Sequence, residues 1–404
     1  MSEIKFFDTN ALLYGSNGLS ELDEFYISSI TIKELENIKT SSSKDDNIKY
    51  LAREVLRFLD KNSNYKMILI KEKHRHTLRE FNLNDTPDNL ICACAYDVSQ
   101  SKEILFISND LICNHVADKV FGLKTAKNSF SNDTDYTGVV EISGSTRFVN
   151  VTIAEMEDGV NRHNLIQNQY IIIHNTDLDE NMEYRYDNGL FKKIKLPPYK
   201  VIKALNSHQK CALDLLYNTN IPIKVIAGTY GSGKTMLATK VGLHYIFDKG
   251  HYNKFLMVRN PCPAEGIQIG YLPGTKQEKV GDFYKTILQY VEDDKQFKNI
   301  QDNPQVQMEV VSFMKGINVE DTYMIIDEAE DLNVKLIKML GTRIDSKSCV
   351  VFCGDWKQAE SKYKYNNGLA YLIDKAKGNP LFGCVVLKED VRSEASKLFA
   401  DLLD

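Results

Sequence analysis

The octapeptide GTYGSGKT, Gly228 to Thr235, constrains the fold more than any other stretch of the 404-residue chain. It fits G-x-x-x-x-G-K-[ST] and sits between an apolar, strand-like run, IPIKVIA, and a helix-like run, MLATKVGLHYIF. In that setting the glycines turn successive backbone N–H groups toward phosphate oxygens, and the helix N-terminus adds its positive dipole. Gly228, Thr229, Tyr230, Gly231, Ser232 and Gly233 form the expected cradle. Lys234 is placed to neutralise β- and γ-phosphates, and the Thr235 hydroxyl to join an Mg²⁺ shell. A loop of this kind belongs to a parallel sheet flanked by helices, and α/β alternation does run from Leu205 to the C-terminus.

Two further strands support a nucleotide site. YMIIDEAED carries Asp327 to the C-terminal edge of the sheet, where such sheets bind ligands, and Asp327 is expected to hold Mg²⁺. Glu328 follows directly and is expected to polarise an attacking water. A kinase acting on a small molecule has less need of this second acid, so the pair favours hydrolysis. SCVVFCGDWKQ ends near Gln358, whose amide can bond both γ-phosphate and water. Upstream, LNSHQKCALDLL supplies Asn206 and Gln209, and Gln209 is a candidate reader of adenine N6 and N7. Alternatively it is a polar position on an amphipathic helix.

Residues 1–128 form a second α/β segment with acids at the ends of its strands. DTNALL places Asp8 after the first strand, FYISSITI leads to Glu34, and NDTPDNLICACA offers Asp85 and Asp88. ILFISND brings Asp110 to another strand end. Strand ends of a parallel sheet converge on one edge, and clustered carboxylates attract a hard divalent ion, Mg²⁺ or Mn²⁺. Metal-assisted phosphodiester hydrolysis is the chemistry such a pocket serves. Taken singly, each acid is equally a loop, cap or surface residue.

Residues 129–200 are expected to be a linker and a small β module. SFSNDTDYTG is polar, and TGVVEI, RFVNVTI, QYIIIHN and EYRYDNGLFKKIK read as strands, with a hairpin turn at Asn188-Gly189. An OB-like barrel would suit strand guidance.

The phosphate-loop motifs, together with KFLMVRNPCPAEGIQIGYLPGTKQEKVGDFY and DVRSEASKL, resemble the PhoH family of ATPases over residues 200–404. The resemblance implies a RecA-like core, with Arg259 at a strand end facing nucleotide or nucleic acid, and Arg343 and Arg392 completing the ATP site. DTNALL, TIKELENIK, LAREVLRFLD, PDNLICACA and SNDLICNHVA resemble a PIN domain, a three-layer α/β/α nuclease fold. That resemblance implies Asp8, Glu34, Asp88 and Asp110 as metal ligands, with Ser108 nearby. Together the two imply an ATP-driven RNA translocase coupled to a metal-dependent ribonuclease. The alternative is an ATPase whose PIN domain is an inert RNA platform. A single RecA core implies a ring, a hexamer by resemblance, with arginines supplied by neighbours.

Composition limits the partners. With 50 Lys plus Arg against 55 Asp plus Glu, the chain is no polybasic binder, although a local groove suffices for RNA. KEKHRHTLRE and KYKYNNG are candidate RNA contacts or solvated faces. No run of about 18 apolar residues predicts a membrane span. The eight cysteines lack a CxxC pair and are expected as buried thiols in a reducing cytoplasm.

Overall fold

The computed structural model describes residues 4–15, 19, 24–42, 44, 46–127, 134–197, 202–259, 303–359 and 367–389. The chain divides into two compact units, Met1–Ser131 and Asn132–Asp404.

In the first unit, β1 (Ile4–Phe7), β2 (Phe25–Ser28), β3 (Tyr65–Ile68), β4 (Ile104–Ile107) and β5 (Lys124–Ala126) form a sheet in the order β3-β2-β1-β4-β5. All neighbours are parallel. Helices α1 (Thr9–Tyr14), α2 (Ser29–Thr40), α3 (Asp46–Lys61), α4 (Glu72–Glu80), α5 (Pro87–Ser99) and α6 (Leu111–His115) provide the crossovers. Each sheet face carries its own apolar layer, one including Phe6, Ile91 and Phe106, the other Phe7, Leu12, Phe25 and Val55. This is why the strands read as continuous apolar runs. The strand expected over FYISSITI stops at Ser28. Its hydroxyl accepts from the Thr31 amide at 3.2 Å and caps α2, so the β-branched residues that follow are helical.

The second unit contains β10 (Ile223–Gly228), β11 (Lys254–Arg259), β12 (Val306–Val310), β13 (Thr322–Asp327), β14 (Cys349–Gly354) and β15 (Phe382–Leu387). They form an all-parallel sheet in the order β12-β11-β13-β14-β10-β15. The described helices around it are α8 (Ser207–Tyr217), α9 (Lys234–Phe247), α10 (Val334–Gly341) and α11 (Gly368–Ala376). The P-loop joins β10 to α9.

The segment before α8 departs from the expectation of an all-β module. RFVNVTI lies within a helix, α7 (Thr146–Glu157), capped by Ser145. Val149, Thr152 and Met156 recur at helical spacing and are buried, which outweighs the β preference of the valines and isoleucine. Around it β6 (Val139–Gly144), β7 (Tyr170–Asn175), β8 (Glu180–Asp187) and β9 (Leu190–Lys193) make an open sheet, β6 and β7 parallel and the rest antiparallel. No barrel closes. The hairpin at Asn188-Gly189 is present, both residues having positive φ (52° and 82°) as a two-residue turn of this hand requires.

Nor is this sheet a separate body. Val139, Ile172 and Ile194 share one apolar cluster with α8 and the large sheet. Burial at about 1.5–3 kcal/mol per large side chain makes that seam a substantial attachment. Asn168 adds polar closure, donating from Nδ2 to the carbonyls of Pro380 (3.0 Å) and Phe382 (2.8 Å).

Candidate functional site

The P-loop geometry follows from its glycines. Gly228 has φ 139°, and a Cβ there would lie 2.2 Å from the Leu387 carbonyl oxygen on the neighbouring strand. Gly233, at φ 91°, turns the chain into α9 in a left-handed conformation closed to most side chains. Ser232 donates to the Thr229 carbonyl at 2.8 Å and tightens the loop. Lys234 Nζ is held by the carbonyls of Gly228 (2.6 Å) and Thr229 (2.9 Å), with the Tyr230 ring 5.9 Å away.

β13 delivers its acids to the same edge. The Thr235 hydroxyl donates to Asp327 Oδ1 at 2.7 Å, joining the P-loop helix to β13. Asp327 is buried, and burial raises its carboxyl above the usual range despite Arg259 and the Thr235 hydrogen bond. Its register partner on β11 is Arg259, whose Nε lies 3.7 Å from Asp327 Oδ2. Arg259 Nη2 donates to Glu328 Oε1 at 2.6 Å. The arginine expected to face nucleotide or nucleic acid therefore also organises the two acids. Burial pushes Glu328 up, but hydrogen bonds from Glu330 and Arg259 outweigh it and leave the carboxyl below its ordinary range. Glu328 holds φ 52°, a backbone region unusual for a glutamate and one that collects at functional positions. A buried carboxylate and a hydroxyl at hydrogen-bond distance form the hard-oxygen set that Mg²⁺ prefers.

The remaining candidates are distributed unevenly. Gln358 is exposed in the short 3₁₀ turn after β14, the strand beside β10. Asn206 caps α8, accepting from the Gln209 amide at 2.8 Å. Gln209 is buried, with Oε1 accepting from Leu205 N at 3.0 Å and Nε2 donating to the Ser232 carbonyl at 3.2 Å. Both amide atoms are thus engaged by the chain itself, and Gln209 braces the P-loop from beneath. Arg343 is expected to complete an ATP site, whether of its own chain or of a neighbour. It follows α10 at the N-terminal edge of the sheet, where Ile344 bridges Val319, and its Nη1 donates to the Ile317 carbonyl at 3.0 Å. Being on the edge opposite the P-loop, it does not complete the ATP site of its own chain. Arg392, the Gly270–Lys279 stretch and Lys362–Asn366 of KYKYNNG lie outside the described residues.

Sequence reading missed Glu330. It is 3% exposed, hydrogen-bonds the Glu328 carboxyl, and accepts from the Asp355 amide at 3.2 Å. Burial and the Glu328 charge push its carboxyl up to about 9. Its position in DEAED was visible, but its burial was not.

In the first unit, Asp8, Glu34, Asp88 and Asp110 line one pocket of about 480 Å³. Strand order explains the convergence. The chain runs outward from β1 through β2 to β3, then returns to the other side of β1 as β4, so β1 and β4 flank a topological switch point. Asp8 follows β1, and Ser108 follows β4. Ser108 donates to Asp8 Oδ2 at 2.8 Å, while Asp8 Oδ1 accepts from Thr9 N at 2.6 Å. Thr9 Oγ1 donates to Glu34. Asp110 Oδ1 caps α6 at Ile112 N (2.7 Å) and Cys113 N (2.9 Å). Thr86, rather than Asp88, caps α5, which leaves Asp88 in its first turn. Asp85 pairs with Arg75 at 2.9 Å and is not among the pocket-lining residues.

Burial, with Asp88 and Glu34 adding like charge, raises Asp8 to about 6 despite its hydrogen bonds. Burial, then Asp88, raises Glu34; burial, then Asp110, raises Asp88. An all-oxygen set of mutually repelling acids suits a hard dication, but no three such side chains among the described residues stand in a metal-holding arrangement. The cations of KEKHRHTLRE are largely taken by local acids: Lys73 by Asp97 (2.6 Å), Arg75 by Asp85, and Arg79 by Glu72. The seven described cysteines are buried and unbridged, and Cys262 lies outside the described residues. No helix among the described residues is long and apolar enough to cross a membrane.

Protein PhoH2 of Bacillus subtilis (strain 168) is 29% identical over 451 aligned positions, covering 100% of each chain. Protein PhoH2 of Thermobispora bispora is 28% identical over 206, covering 50% of this chain and 47% of its own. The chain thus matches the whole of the first relative and about half of the second. The Pif1 helicase of Candida albicans is a 17% identical structural neighbour with TM-score 0.28, covering 50% of this chain and 44% of its own. The PIN domain family matches residues 6–127, and the family described as PhoH-like protein matches residues 201–404. The chain belongs to the PhoH-like protein family and carries a PIN domain at its N-terminus.

Proposed function

We propose that the second unit hydrolyses ATP to move an RNA strand, and that the acidic pocket of the first unit cleaves RNA with Mg²⁺ or Mn²⁺. The contact between Thr235 and Asp327, at 2.7 Å beside Glu328, carries the hydrolysis reading. Backbone N–H groups of Gly231–Thr235 and the Lys234 ammonium would bind the triphosphate, and Thr235 with Asp327 would hold Mg²⁺, which would supply charge withdrawal from the phosphates. Glu328, steadied by Arg259, orients and deprotonates the water. In this reading Gln358, in the turn after β14, links phosphate release to movement. In the acidic pocket, Asp8, Glu34, Asp88 and Asp110 would hold the metal, which when bound would supply Lewis-acid activation of the phosphodiester. Ser108 and Thr9 orient Asp8 and Glu34.

Assembly as a homo-hexameric ring in the cytoplasm completes the proposal, with Arg343 or Arg392 serving a neighbouring copy's ATP site. The second reading, an ATPase with an inert RNA-binding PIN domain, draws on the spread of the four carboxylates, no three of which meet in metal-binding geometry. Incubation of labelled single-stranded RNA with and without Mg²⁺ and ATP separates the two. Lys234→Ala is expected to abolish ATP hydrolysis while sparing cleavage of unstructured RNA. Asp8→Asn is expected to abolish cleavage while sparing hydrolysis. RNA cleavage unchanged in Asp8→Asn identifies a contaminating nuclease and supports the inert-platform reading.

A further inference from the structure

We propose that Glu330 is a positioning residue for ATP hydrolysis: a neutral carboxylic acid whose O–H donates to Glu328 and whose carbonyl oxygen is anchored on the Asp355 amide. The role rests on the hydrolysis reading above and deepens it.

The geometry has three parts. First, the side chains of Glu328 and Glu330 hydrogen-bond each other. Two carboxyl groups can do so only if one keeps its proton. Arg259 Nη2 lies 2.6 Å from Glu328, so Glu328 is the carboxylate and Glu330 the acid. Second, Glu330 has a built seat. Its Oε2 accepts from Asp355 N at 3.2 Å, and a Cβ on Gly354 would lie 2.3 Å from that same oxygen. The Glu330 carbonyl also accepts from Asn367 Nδ2 at 3.0 Å, which fixes its backbone. Third, Asp355 caps the turn that ends in Gln358, its side chain accepting from Lys357 N at 3.1 Å. One buried acid therefore joins the carboxylate that activates water to the turn bearing the glutamine at the end of β14.

The charges around Glu330 favour this proton placement. Glu328 and Asp331 on its own segment both disfavour its ionisation. Asp355 adjoins through its amide, while the cations Arg259 on β11 and Lys234 on α9 act on Glu328. Glu328 is thus held from two sides, by a guanidinium and by a carboxylic acid. Neither donor needs to touch nucleotide. Glu330 acts by fixing the rotamer of the base on a strained, left-handed residue.

The test measures ATP hydrolysis by the full chain for Glu330→Gln and Glu330→Ala across pH 6–10. Gln retains a donor and an acceptor of the same reach, so Glu330→Gln should keep kcat within about threefold of wild type. Glu330→Ala should lose roughly 10–100-fold in kcat with KM for ATP little changed, part of what a positioned general base contributes. The wild type should lose activity as pH rises through about 9, where Glu330 ionises, and Glu330→Gln should lose that limb. If Glu330→Ala does not fold, the alkaline limb of Glu330→Gln decides. Wild-type kcat in Glu330→Ala, or an unchanged limb in Glu330→Gln, overturns the role. A wild-type chain that hydrolyses no ATP instead refutes the hydrolysis reading itself.

Discussion

Replacing Asp8 by Asn should make the first unit more stable while destroying its proposed chemistry. In the folded chain burial, reinforced by the charges of Asp88 and Glu34, raises Asp8 from 3.8 to about 6. A carboxyl raised on folding binds its proton more tightly in the native state. Its ionisation penalty is absent at low pH and grows as pH climbs from the unfolded to the folded value. At 1.36 kcal/mol per unit, the penalty is about 3 kcal/mol at pH 7 and about 0.5 kcal/mol at pH 4. Asn removes the charge and keeps an acceptor for Thr9 N and a group for Ser108. The single tryptophan, Trp356, belongs to the second unit, so stability of the first is best followed by amide hydrogen exchange of β1 and β4 peptides in the full chain. With EDTA at pH 7.5, Asp8→Asn should protect those peptides by about 3 kcal/mol over wild type, the gain nearly vanishing at pH 4. Mn²⁺ should protect wild type and leave the variant unmoved. Equal protection of the two proteins at pH 7.5 refutes the claim that Asp8 is held in the fold against its own ionisation.

Gly228→Ala forces a Cβ to within 2.2 Å of the Leu387 carbonyl oxygen, at a φ that alanine avoids. It should cost about 2–4 kcal/mol in denaturant titration followed by Trp356 fluorescence. Asn168→Gly keeps the left-handed backbone but leaves the carbonyls of Pro380 and Phe382 without their side-chain donor. It should loosen the small sheet by about 1–3 kcal/mol, seen as faster hydrogen exchange in β7 and β15. Thr235→Ala removes the donor to Asp327 and should weaken Mg²⁺-dependent ATP hydrolysis more than metal-free nucleotide binding, measured by turnover and by fluorescent-nucleotide titration.

The P-loop was legible because its chemistry is local: eight contiguous residues specify their own backbone path between a strand and a helix. Asp8 and Asp110 were legible as ends of apolar runs, since a parallel sheet sends every such end to one edge. The RFVNVTI segment misled because its β-branched residues speak for a strand. Ser145 as cap and the Val149, Thr152, Met156 spacing pointed to the helix that formed. Whose ATP site Arg343 could serve was not legible, because sequence does not say to which edge of a sheet a residue returns after a crossover.

Sequence alone determined the two parallel α/β units, the phosphate cradle and the roster of acids, since periodicity and short motifs act between residues near in the chain. Only tertiary structure decided which of those acids are buried, what Gln209 and Arg259 hold, and that the middle segment shares the apolar core of the second unit. Those outcomes depend on burial and on charges brought together from distant strands, and desolvation has no signature in a linear string of residues.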